Sequence, residues 1–187
     1  MSDTDTPSLA QMIADFKTLP ISGHAHAIGH LCIAWSSLES LTDLFLTVLL
    51  KMGRPDVNSA VIHNADTREK WQMIISVGFL KQINTDWYGR LLSLMNHIDN
   101  DLRPERNRMV HDRWDYSQAT IKRFRPIARV LKIQSRELAF RDGESKPISE
   151  EDVWVLAITV MAAFGELIEL LEEYTEHDTR PLPDIAE

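Results

Sequence analysis

Residues 153–174 read VWVLAITVMAAFGELIELLEEY, and this stretch decides the fold class. Val153, Ala157, Val160, Phe164, Leu167, Leu171 and Tyr174 alternate steps of four and three, the spacing of one apolar helix stripe. Ser149 precedes it as an N-cap, and Glu150, Glu151 and Asp152 occupy a first turn where the helix dipole favours acids. Upstream, Ile28, Leu31, Trp35, Leu38, Leu41, Phe45, Val48 and Leu49 draw a second long stripe, giving a helix from about 25 to 52 that Gly53, Arg54 and Pro55 stop. Leu9, Met12, Ile13 and Phe16 form one face of a shorter helix over 9–17.

Between the two long helices the pattern continues. Asp66 and Glu69 fit a capping box, followed by Trp71, Ile74, Ile75, Phe79 and Leu80 as the buried side. Asn84 and Thr85 are cap candidates for a helix bearing Trp87, Leu91, Met95, Ile98 and Leu102 on one face. Pro104 then marks a kink or a helix restart, since proline is tolerated in a first turn. From Trp114 to about Pro147 the helical period is lost. Partial alternation and Asp142-Gly143 predict a loop with a small β-hairpin and a turn. The expectation is an all-α bundle of four to five helices spanning residues 8–175, with an irregular or hairpin insertion at about 115–147. Residues 1–7 and the acidic tail 176–187 read as disordered termini.

Composition narrows the function classes. With 187 residues the chain is most simply one domain. The single cysteine, Cys32, excludes an intrachain disulfide and a zinc site built on four cysteines or on two cysteines and two histidines. The opening residues show no signal peptide, and the weakly polar run 154–165 falls short of the roughly 20 residues a bilayer span needs. A cytoplasmic protein without a membrane segment is therefore expected. Net charge is −8, against a general nucleic-acid coat. Yet residues 101–136 carry a balance of +6, while residues 137–187 carry −11. The basic stretch is either a phosphate-guiding surface, with Lys122, Arg123, Arg125, Arg129, Lys132 and Arg136, or a solvated face opposite the acidic segment.

The most informative segment is Arg106-Asn107-Arg108-Met109-Val110-His111. On a helix Asn107 and His111 share a face, and Arg106 sits about 140° from His111. One turn thus carries a permanent cation, an amide and an imidazole. Arginine can hold a phosphate with paired hydrogen bonds, and histidine can exchange a proton near neutral pH. As bare residues, the segment reads more readily as a helix end with an exposed Arg106 and a His111 packed on Trp114. His24, His26 and His30 form a second cluster. His26 and His30, four apart, can share a metal, but two ligands are insufficient alone and no acid follows His26, so no metal site and no cofactor are expected. Trp35, Trp71, Trp87 and Trp154 read as core or dimer interface, while Trp114 is a stacking candidate.

The chain resembles the HEPN (higher eukaryotes and prokaryotes nucleotide-binding) domain family. Its signature is an arginine, often followed by asparagine, then a histidine after four to six residues, a pattern that Arg106, Asn107 and His111 fill. Trp35-Ser-Ser-Leu-Glu39 and the insertion after His111-x-x-Trp114 are similar to bacterial HEPN-like proteins. The resemblance covers roughly residues 25–175. It implies a homodimer with facing motifs and metal-independent cleavage of RNA by the substrate's own 2′-OH. His111 would be the general base or acid, Arg106 the stabiliser of transition-state charge, and Asn107 the orienting group. Arg103, Arg108, Arg113, Trp114, Arg123 and Arg125 are the expected contacts to single-stranded RNA. The resemblance also implies a role in defence or toxin–antitoxin biology, with a cognate antitoxin or regulator that the sequence does not identify. An inactive RNA-binding or assembly module is the alternative it leaves open.

Overall fold

The computed structural model describes residues 8–51, 62, 64–117, 120–126 and 142–178. The architecture is mostly helical with one small antiparallel sheet. Helices α1 (Leu9–Lys17) and α2 (Ser22–Leu50) are followed by α3 (Thr67–Leu80) and α4 (Thr85–His97). A π-turn (Ile98–Leu102) leads directly into α5 (Arg103–His111), and strands β1 (Arg113–Asp115), β2 (Lys122–Pro126) and β3 (Asp142–Pro147) precede the last helix, α6 (Glu150–Asp178). The expected termini 1–7 and 179–187, and the stop at Gly53-Arg54-Pro55, lie outside the described residues. Residues 176–178, read as tail, are the last turn of α6.

The two long helices pack side by side and supply much of the core. Ala27, Leu31, Ala34, Trp35, Leu38, Phe45, Leu46 and Leu49 of α2 are buried, as are Val153, Ala157, Val160, Ala163, Leu167, Leu170 and Tyr174 of α6. Ala163 and Leu170 face inward where the stripe has Phe164 and Leu171, which are half-buried. Apolar residues stand at both members of each pair, so tertiary packing chooses between them. The Leu170 carbonyl also accepts the buried Trp87 indole N–H at 2.9 Å.

Local signals explain where the elements start. Asp66 accepts the Glu69 backbone N–H and Glu69 returns the bond to Asp66, completing the capping box. Asn84 caps α4 through the Trp87 backbone N–H, and Ser149 caps α6 through the Asp152 N–H. In α3 the inward stripe is Trp71, Ile74 and Gly78, whereas Phe79 and Leu80 are exposed, contrary to the sequence reading. The reason is close approach. A Cβ at Gly78 would stand 2.6 Å from a Leu91 methyl, so the α3–α4 contact forms over a glycine.

Pro104 marks a helix restart: α5 begins at Arg103 with the proline in its first turn. Within the preceding π-turn the Arg103 N–H reaches back to the Ile98 carbonyl, and this wider turn accommodates a residue that has no N–H. After α5, the expected β-hairpin insertion takes the form of a three-stranded antiparallel sheet of order β1-β2-β3, and Asp142-Gly143 begins β3 instead of making a turn. Arg113 pairs with Phe124, Trp114 with Arg123, and Arg123 in turn with Lys146.

The apolar face of α1 (Leu9, Met12, Ile13) is exposed. So are Ile33 and Leu44 on α2 and Val155, Ile158 and Met161 on α6. Both long helices are apolar enough, by length and composition, to cross a membrane, with windows of mean hydropathy 1.4 and 1.9 that are 44% and 33% buried. The window in α6 extends past the weakly polar run 154–165, and the core helix of a soluble protein passes the same test.

Candidate functional site

Helix α5 carries the Arg-Asn-His motif and is held on three sides. Its start is tied down by Asp99, a buried carboxylate in the π-turn that receives Arg103 at 2.7 Å and Arg68 at 3.2 Å. Its middle rests on α2, where the Arg106 guanidinium carbon lies 5.5 Å from the Trp35 ring centroid. Its end is fastened to the sheet by ion pairs.

Arg106 Nη1 donates to the Asn107 amide oxygen at 3.1 Å, while Arg106 Nε is buried with no protein acceptor. The guanidinium therefore lies over the indole ring, is oriented by Asn107 and is only partly satisfied. His111 is exposed at the other end of the helix. Since positions 106 and 111 differ by about 140° around a helix, and Arg106 packs on Trp35, a single chain turns the two groups to different sides. Asn107 shares the His111 face and is the link between them.

The expected RNA contacts divide sharply. Arg123 is fully buried, with Nη2 3.3 Å from Glu105 and Nε 3.6 Å from Asp112. Arg108 pairs with the same two carboxylates, at 3.7 Å and 3.5 Å. Two cations and two anions thus neutralise one another beneath the end of α5, and Arg123 is not a surface contact. Strand alternation turns Ile121 and Arg123 inward, whereas the linear run of basic residues looks uniformly exposed. Arg103 is likewise engaged, by Asp99.

Trp114 is half-buried instead of presenting a free face. Its N–H donates to the Met109 carbonyl at 3.1 Å, and its ring meets the edge of His24 at 5.7 Å. His24, not His111, is thus the histidine on Trp114; it is buried and bonds the Ile148 carbonyl at 3.1 Å. Arg113 is exposed and stacks on Phe124 at 5.1 Å. Nearby, Asp115 lies below its usual carboxylate range because it accepts the Ser117 hydroxyl and backbone N–H. The Arg125 side chain and residues Arg129, Lys132 and Arg136 lie outside the described residues.

Trp35, which the residue pattern reads as core or interface, is buried in the core and is also the ring over which Arg106 lies. Nothing at α2 alone marks it; its role follows from the docking of α5. Among the described residues no group of three or more His, Cys, Asp or Glu is gathered to hold a metal ion. No family model matches the chain, and no curated protein or solved structure matches it.

Proposed function

We propose that the chain is a HEPN-like, cytoplasmic endoribonuclease that works as a homodimer without a metal. The observation that carries this reading is helix α5: an incompletely satisfied Arg106 lying over Trp35 and bonded to Asn107, and an exposed His111 on the face that Asn107 shares. In the proposed reaction the ribose 2′-oxygen forms a bond to phosphorus as His111, or its partner copy, takes the 2′ proton. The 5′-oxygen leaves with a proton from the imidazolium of the other copy, and a 2′,3′-cyclic phosphate remains. Arg106 stabilises the charge developing on the phosphoryl oxygens. Because Arg106 and His111 point to different sides of one helix, the reading requires a second copy. The exposed apolar residues of α2 and α6 supply a surface for it.

The test is labelled single-stranded RNA with purified protein, with and without EDTA. Cleavage should persist in EDTA, leave DNA intact and give cyclic-phosphate ends. His111→Ala should lower the rate by about 10²–10⁴-fold, the usual worth of a positioned acid or base. Cleavage that survives His111→Ala, or stops with EDTA, refutes the mechanism. The second reading is a non-catalytic RNA-binding or assembly module. The neutralisation of Arg108 and Arg123 by Glu105 and Asp112 favours it, and it predicts binding without cleavage.

A further inference from the structure

We propose that His26 and His30 form a binding site for a divalent transition metal of tetragonal preference, Cu²⁺ or Ni²⁺, independent of the ribonuclease reading. The two residues lie one turn apart on α2, both exposed. Their rings are stacked at 4.9 Å with an 18° tilt, and their Nε2 atoms face each other at 3.0 Å. Imidazole nitrogens one helical turn apart can take two adjacent positions on one ion at metal–nitrogen distances of about 2.0–2.1 Å. Nitrogen donors with water in the remaining positions suit Cu²⁺ or Ni²⁺, which hold tetragonal sites and stand high in the divalent affinity order.

The rings are also held in place. Trp154 of α6 lies 4.9 Å from His30 and 5.9 Å from His26, closing one side of the pair. Its own N–H is fixed on Glu150 at 3.1 Å. Restricting the imidazoles before binding lowers the ordering cost of the chelate. On the open side His26 borders a pocket of about 490 Å³ that Lys17, Glu150 and Trp154 also line, leaving room for water to fill the remaining positions. Without metal, one Nε2–H donates to the other Nε2. Coordination moves that proton to Nδ1 through solvent, so both Nε2 lone pairs face the ion.

The experiment uses the full chain and the metals alone. Electron paramagnetic resonance with substoichiometric Cu²⁺ should show two equivalent nitrogen couplings, and calorimetric titration with Ni²⁺ should show one dominant site. Either His26→Gln or His30→Gln should weaken that site by about 10²-fold, the loss expected when a two-point attachment becomes one-point. Both side chains are exposed, so circular dichroism should be unchanged. His97→Gln, which removes the His97–Asp101 pair, should leave affinity unaltered. A one-nitrogen spectrum, or affinity within threefold of the parent in both variants, overturns the proposal.

Discussion

Arg123 on the central strand and Asp112 at the end of α5 form an ion pair at 3.6 Å in which the arginine has no exposed surface. Asp112 follows His111 directly in the chain, so this contact joins the insertion to the end of the helix that carries the motif. Arg123 Nη1 has no acceptor, which makes the contact costly to bury and sensitive to change.

Arg123→Met should therefore destabilise the protein by about 3 kcal/mol, the lower end of what breaking a buried ion pair costs. Arg108 still faces both carboxylates, which keeps the loss from being larger. Urea unfolding of the variant, in a double-mutant cycle with Asp112→Asn, measures the coupling. A loss below about 0.5 kcal/mol would mean that Arg123 behaves as a surface residue.

Sequence-independent RNA affinity should depend on Arg113 and Lys122, not on Arg123. Replacing both by Ala should lower the magnitude of the slope of log K against log salt by about 1.4, since each lost phosphate contact on a single strand removes about 0.7. Binding measured between low and moderate salt checks this, and an unchanged slope would assign the exposed face of the sheet no part in RNA contact.

Arg106→Lys should abolish the proposed RNA cleavage while leaving the bundle folded. Lysine keeps the charge but has no planar fork for phosphate and packs less well over Trp35. Activity within a few-fold of the parent would show that only charge at position 106 matters. Trp fluorescence provides a parallel readout of the Trp35 environment.

If the chain dimerises as proposed, Ile158→Glu or Ile33→Glu should turn the dimer into monomer without lowering monomer stability. Both isoleucines are about two-thirds exposed in one chain, at 65% and 67%, so a charge there costs little unless a partner covers it. Sedimentation at micromolar concentration decides the matter. A parent protein that is already monomeric would remove the composite site.

The start of α6 should weaken in acid. Asp152 lies below its usual range because it accepts the Ser149 backbone N–H and hydroxyl. A lowered folded-state pKa contributes stability above the ordinary value of 3.8 that is lost as pH falls through the folded value. Asp152→Asn should cost about 1 kcal/mol near neutral pH, the scale of a helix cap. The difference should close once Asp152 in the parent is protonated, as thermal melts across pH will report.

Much of the bundle was legible because its signals are local. The capping box at Asp66 and Glu69, the Asn84 and Ser149 caps and the stripe from Trp87 to Leu102 each depend on residues within a few turns. The sheet was harder to read: β3 pairs with β2 across the long segment between them, and Asp142-Gly143 satisfies a turn pattern as readily as a bulged strand. The candidate site was half legible. The order Arg106, Asn107, His111 is visible in the chain, but Trp35 lies seventy-one positions before Arg106 and nothing local connects them.

The sequence by itself determined the helical class, where α1, α3, α4 and α6 begin and the composition of the motif, since periodicity and capping act through neighbouring residues. Only the tertiary structure decided that Arg123 is interior, that Arg103 and Arg108 are already paired, that Phe79 is exposed and that Arg106 lies over Trp35. Each depends on which surface another element covers, and a charge or an apolar side chain carries no record of that in its own neighbourhood.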